Sequence, residues 1–340
     1  MRTPGLFCLI LIGILPAAAE PPVLLRMIRD DAVRGELDLS TSQASEIDAA
    51  MDRVDGDWFR ARILPEGERD RINGELTGRL RDAIKPVLEP DQRRRLDQLE
   101  RQALGTRMLT RDDVADVLEI DAGQRARLID VFEDTDREAA SADTPGAGEK
   151  LKDRERTRIG EILRDDQRRG IARLIGTPFD FSRVVRTLPR APEISDEGLT
   201  WVRGEPVTLG DLRGKVVALH FYAHECINCV RNLPHYNAWH DDYADDGLVV
   251  IGIQTPEISS ERKADRVAAA ADDAGIEYRV GLDLESSNWK RWSNTMWPTV
   301  YLIDRRGYLR RWWQGEMNWQ GTPGEQQMRE TIEQLLAESP

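Results

Sequence analysis

A seven-residue apolar run, Val216-Val-Ala-Leu-His-Phe-Tyr222, breaks off into Ala223-His-Glu225 and then Cys226-Ile-Asn-Cys229. A near-continuous run of this kind marks a strand buried on both faces. A second run, Leu248-Val-Val-Ile-Gly-Ile-Gln254, follows after a helical stretch, so the pair predicts a strand–helix–strand crossover within an α/β sheet. The cysteines then fall at the N-terminus of the intervening helix, where unsatisfied N–H groups and the helix dipole favour a thiolate. Two thiols separated by two residues close a small disulfide ring and reopen it, which thiol–disulfide exchange requires. As a staple the ring would constrain almost no chain, and no second C-x-x-C or His pair at finger spacing completes a zinc site. Cys226 is therefore expected to be the attacking thiol and Cys229, one turn on and facing inward, the resolving one.

The chain is long enough for more than one core: 340 residues, 40% hydrophobic and 32% charged. A formal net charge of −13 argues against nucleic acid as a partner, since a phosphate backbone demands a basic stripe. Residues 1–19 run from Arg2 through apolar Leu6–Leu15 to Ala17-Ala-Ala19, the order of a secretory signal, with cleavage expected after Ala19. A periplasmic or secreted location follows, with membrane anchoring as the alternative for an uncleaved segment. Cys8 lies within the apolar run and is read as discarded with it.

Character changes near residue 190, with Pro189 and Pro192 marking the joint. Residues 20–187 are expected to form an all-α domain, and 188–340 an α/β domain with a mixed central sheet flanked by helices. The helical region repeats a short pattern, an aliphatic residue four positions before Gln and another four after. It occurs as Leu39/Gln43/Ile47, Leu88/Gln92/Leu96, Ile120/Gln124/Leu128 and Leu163/Gln167/Ile171. In Ser40-Thr-Ser-Gln43 the Gln is placed to complete a capping box, and Pro90 is placed at a first helical position. Duplicated hairpins are the expected result, with Ala139–Glu149 as a loop. The pattern resembles the L-T-x-x-Q motif of small periplasmic stress chaperones and metal sensors, although Thr is absent from every copy. No His or Cys lies between Glu20 and Leu219, which leaves this domain a structural or protein-binding role.

Further along, Trp297-Pro298 leads into Thr299-Val-Tyr-Leu-Ile303 and the turn Asp304-Arg-Arg-Gly307. A Pro opening a strand in this way is a candidate cis peptide, with Trp297 beside it as a substrate contact. Pro234 is expected to kink the helix that starts at the cysteines, and Glu261–Ala274 to form the next crossover helix.

These segments, together with Leu212-Arg-Gly-Lys-Val-Val217, Ala238-Trp239, Gly247–Gly252 and Thr255-Pro-Glu257, resemble the thioredoxin superfamily, and more narrowly its exported TlpA and DipZ-like oxidoreductases. The resemblance covers about residues 195–337. It implies a thioredoxin fold, Pro298 in cis opposite Cys226 and Cys229, and exchange with protein thiols and disulfides without a bound cofactor. A membrane or periplasmic electron donor is implied as well. Many members carry a buried Asp six residues before the first Cys; here His220 stands there, a candidate base for Cys229 with a pKa near working pH. His224, Glu225 and Glu257 are further candidates for proton transfer or for tuning the cysteines. His220, His224, His235 and His240 cluster around the cysteines, but their spacing matches no closed ligand set, so no metal is expected. A peroxidase is disfavoured because Ala223 occupies the place where related peroxiredoxins carry Thr or Ser. A non-enzymatic, redox-reporting chaperone or stress sensor is the remaining alternative.

Overall fold

The computed structural model describes residues 21–141 and 147–338. The expected signal segment and most of the proposed 139–149 loop lie outside them. Within the described part of that loop, helices extend to Ala140 and resume at Ala147, so the connection is shorter than the Ser, Pro and Gly content suggests. The chain divides into two compact units, one ending at Thr187 and the next beginning at Leu188.

The first unit is helical: α1 Val23–Met27, α2 Asp31–Glu36, α3 Thr41–Ala61, α4 Glu66–Ile84, α5 Pro90–Leu104, a 3-10 turn Gly105–Thr110, α6 Asp112–Val117, α7 Ala122–Ala140, α8 Ala147–Ile162 and α9 Asp165–Ile175. The four Gln residues each sit in the first turn of a long helix. Their side-chain oxygens accept the backbone N–H of Ser40, Glu89, Asp121 and Arg164, at 3.0, 2.9, 3.2 and 2.9 Å. That occupies an N–H left free by helix geometry. The amide nitrogens then reach across: Gln43 and Gln92 bond each other reciprocally at 2.7 and 3.3 Å, and Gln124 and Gln167 at 2.9 and 3.0 Å. Each pair ties two helix starts together.

The pairing exposes a tandem duplication. Arg93 donates to the carbonyls of Lys85 and Leu88, and Arg168 makes the same two bonds to Gly160 and Leu163. Asp38 and Glu119, each one residue before an aliphatic anchor of the Gln motif, share a left-handed backbone with φ 48° and 52°. Upstream, Arg26-Met27 and Arg107-Met108 stand in the same relation to their Gln residues. α1–α5 and the 3-10 turn through α9 are thus two copies of one helical module.

The second unit contains a six-stranded sheet: β1 Leu199–Arg203, β2 Val216–Tyr222, β3 Leu248–Gln254, β4 Arg279–Asp283, β5 Thr299–Ile303 and β6 Leu309–Gln314, in the order β1-β4-β3-β2-β5-β6. β2, β3 and β4 run parallel, while β1, β5 and β6 pair antiparallel, giving the mixed sheet expected. The helices are α10 Ile227–Tyr243, α11 Ala264–Asp273, α12 Ser287–Arg291 and α13 Gly324–Ala337. α10 stays helical through Pro234 to Tyr243. The crossover helix starts later than expected, because Ser259–Arg262 forms a separate 3-10 turn. Every residue of β2 is buried. On one face Ala218 and Tyr222 join Leu233, Tyr236 and Trp239 of α10 around Cys229; on the other Phe221 packs against Trp292 and Tyr301. A layered core of this kind fixes the carboxyl end of β2, where the cysteines begin.

Candidate active site

β2 ends at Tyr222, and four residues later Cys226 caps α10 with an extended backbone, φ −76° and ψ 115°. Its carbonyl accepts Val230 N–H at 3.0 Å, and its own N–H returns to Ala223 O at 3.2 Å. The local sequence therefore sets Cys226 at the helix mouth, half-buried, while the next turn carries Cys229 inward to 0% exposure. Both are free thiols. Burial, with a smaller contribution from the adjacent Cys226, pushes the Cys229 thiol well above its ordinary value. The arrangement is asymmetric: one sulfur meets solvent and the other is held in reserve.

The Trp297–Pro298 peptide is cis. β5 pairs antiparallel with β2 so that Thr299 faces Phe221, which places buried Pro298 beside the end of β2 and the cysteine loop. Two clamps hold it there. Gly315 N–H donates to Pro298 O at 2.8 Å, and buried Asn232 of α10 bonds Gly315 O at 3.1 Å and Met317 N–H at 3.1 Å. Trp297 stacks on Trp289 with centroids 4.0 Å apart, and its indole N–H has no partner among the described residues.

Sequence reasoning gave Glu261 no role, yet it organises the loop. Its carboxylate is fully buried in the 3-10 turn and accepts N–H groups from Glu225 at 2.8 Å, Glu257 at 2.7 Å and Ile258 at 3.2 Å. Three charge-assisted bonds of this kind fix the segment before Cys226 to the loop after β3. No motif marks it, because its partners are backbone groups from two separate segments. Both side chains are exposed; Glu225 meets the loop through its backbone N–H, while the Glu257 carboxylate also adds a small upward push to the Cys229 thiol. His224 lies 3.9 Å from Glu261 and 3.7 Å from Glu225, beyond hydrogen-bond length.

His220 is fully buried on the same face as Cys229. Its Nε2 pairs with Tyr278 Oη at 3.1 Å, its ring stacks on Tyr236 at 4.2 Å, and Nδ1 has no partner among the described residues. With no acid beside it, burial pushes His220 down to about 3, away from the working range anticipated for it. Gly252, its strand neighbour, leaves room for the imidazole: a Cβ there would meet Nε2 at 3.0 Å. Next along β3, Gln254 is 0% exposed, and neither amide atom has a partner among the described residues. The other histidines disperse. His235 approaches Asn318 at the surface, and His240 meets the edge of Tyr278. Among the described residues no three His, Cys, Asp or Glu side chains converge as a metal set.

The order β1-β4-β3-β2-β5-β6, the helix-capping C-x-x-C and the cis proline together make this unit a thioredoxin-like domain. Residues 190–312 match the AhpC/TSA family. The chain is similar to protein DipZ of Mycobacterium tuberculosis, 42% identical over 124 residues that make up 35% of this chain and 18% of that one. Similarity extends to thiol-disulfide oxidoreductase ResA of Geobacillus kaustophilus, 27% identical over 114 residues, 33% of this chain and 62% of that one. Among solved structures, a putative thiol:disulfide interchange protein DsbE from Chlorobium tepidum aligns with a TM-score of 0.37 and 22% identity, over 44% of this chain and 96% of that one. The chain therefore spans under one-fifth of the DipZ relative's length.

Proposed function

We propose that the chain is a thiol–disulfide oxidoreductase that reduces disulfides of exported proteins through Cys226 and Cys229. The supporting observation is the asymmetry of the pair, an accessible sulfur at a helix mouth one turn from a fully buried one, beside the cis-Pro298 loop. In this reading the Cys226 thiolate attacks one sulfur of a substrate disulfide, forming a mixed disulfide and expelling the other sulfur as a thiolate. Cys229 then gives up its proton and attacks Cys226 Sγ, releasing the second substrate thiolate. The substrate gains two electrons and the protein is left with a Cys226–Cys229 disulfide, which an external dithiol donor at the membrane or in the periplasm must reduce.

Trp297 and Pro298 present an edge beside the sulfur for an extended client. His220 is the polar group nearest in role to a proton acceptor for Cys229. At a folded value of about 3 it would pass the proton on and not store it. The exported location rests on the 1–19 segment; among the described residues no helix is long and apolar enough to cross a membrane.

The test is insulin reduction with dithiothreitol as donor, run beside peroxide consumption. Turnover lost in Cys226→Ser supports the reductase. Peroxide consumption without insulin turnover replaces it with a peroxidase, and inactivity in both replaces it with a binding protein. Cys229→Ala should accumulate mixed disulfides with its clients. An unchanged resolution rate in His220→Ala would remove the histidine from the reaction.

A further inference from the structure

The two helical modules treat one position differently. In the second, Arg107 donates to Asp136 at 2.6 and 3.3 Å and to Glu155 at 3.2 Å, so its guanidinium is held by two carboxylates. Its counterpart in the first is Arg26, which stands before the same Met and at the same distance from the Gln. Both carboxylates have gone from Arg26. Asp55, the counterpart of Asp136, is held by Arg29 through two bonds of 3.1 and 2.9 Å, and Arg29 faces a Thr110 position in the other copy. The counterpart of Glu155 is Leu80, as the matching buried pairs Leu76/Leu151 and Ile84/Ile159 on either side show. Among the described residues Arg26 has no hydrogen-bond or ion-pair partner.

Arg26 borders a cavity of about 190 Å³ whose other walls include Val23, Met27, Ala103, Phe181 and Val184. The neighbouring amide offers nothing to an anion or to the arginine, since Gln102 already donates to Ile175 O and Thr177 O and accepts Phe179 N–H. Burial pulls the guanidinium below its ordinary value, and no acid among the described residues restores it. Holding an unpaired cation against an apolar wall is costly, and an anion with an apolar stem removes that cost while filling the cavity.

We propose that Arg26 and this cavity bind a medium-chain monocarboxylate, with the carboxylate on the guanidinium in the place Asp136 and Glu155 take on Arg107, and the alkyl chain among Val23, Met27, Phe181 and Val184. The volume is below the roughly 300–1,000 Å³ of drug-sized sites, which selects an alkyl chain of up to about eight carbons over a peptide. The site is independent of the cysteines.

Calorimetric titration of the full chain with octanoate tests it. Octanoate should bind with a dissociation constant of about 0.1–1 mM, as expected for some ten heavy atoms of ordinary ligand efficiency. Arg26→Met, which keeps an apolar stem without charge, should weaken octanoate at least about tenfold and leave octanol unchanged, whereas Arg26→Lys should stay within a few-fold of wild type. Ala103→Phe, which fills the cavity and leaves the cation, should abolish binding. Equal octanoate affinity in wild type and Arg26→Met would overturn the proposal. So would no heat from octanoate at 10-fold the expected constant, or tighter binding of a tetrapeptide with an apolar C-terminal carboxylate.

Discussion

Gln167 in the helical unit and Gln254 in the thioredoxin-like unit are almost equally buried, at 1% and 0% exposure. Gln167 uses its oxygen on Arg164 N–H and its nitrogen on Glu119 O and Gln124. Gln254 uses neither atom among the described residues. The same contrast holds more widely: the four repeat glutamines close helix ends and bridge hairpins, while around Cys229 the Nδ1 of His220 and the amide of Gln254 stay unpaired. A satisfied polar network stabilises and specifies a fold, whereas an orphaned buried group costs about 1–3 kcal/mol. The helical unit spends its repeat glutamines on architecture. The other unit tolerates cost beside its buried sulfur.

That contrast is sharpest at the cysteines, where variants should lose function and keep structure. Cys226→Ser should lower insulin reduction by more than about a thousandfold with an unchanged far-UV spectrum. Retained activity would detach the chemistry from this unit altogether.

Acid titration gives the next largest effect. His220 falls from an ordinary 6.5 to about 3 on folding, so the unfolded chain accepts a proton that the folded chain refuses. Stability is complete above about pH 6.5 and declines as the pH drops from there toward 3, by an amount of order a few kcal/mol. His220→Phe should flatten that decline in urea midpoints measured from pH 7 to 4; an unaltered slope would show that other groups carry it.

Within the helical unit, the two Gln pairs should differ by their burial. Gln124→Ala, which strands Gln167 in a buried site, should cost about 2–3 kcal/mol, and Gln43→Ala, in the half-buried pair, about 1 kcal/mol. Equal costs would mean that the modules are not distinguished by desolvation. The smallest effect belongs to Gln254→Leu. Removing an amide that bonds nothing should leave stability unchanged or raise it by up to about 1 kcal/mol. A loss as large as that of Gln124→Ala would show that Gln254 is paired after all.

Both central strands were legible because burial on two faces leaves an uninterrupted apolar run: β2 and β3 span the predicted 216–222 and 248–254. The cis peptide and the mixed sheet were readable for a similar reason, since a Pro opening a strand after C-x-x-C narrows the options. The short helices α2 and α6 were not read, being too brief for a helical period to register. The duplication was half visible. Its Gln copies recur at a fixed spacing from aliphatic residues, whereas the Arg-Met pairs at 26 and 107 are too short a match to register without the fold. Glu261 left no trace, because a carboxylate bonded to three backbone N–H groups has no partner type to pattern on.

What the sequence determined by itself is whatever depends on neighbours along the chain: which runs become strands, where Cys226 falls on its helix, and that Gln in a first turn returns to its cap. Only the tertiary structure decided which of these meet. It placed Pro298 at the end of β2, and among the described residues it gave Arg107 two carboxylates and Arg26 none and buried Gln254 without a partner. The reason is that hydrogen bonding and desolvation between distant segments depend on packing, and packing leaves no period in a one-dimensional pattern.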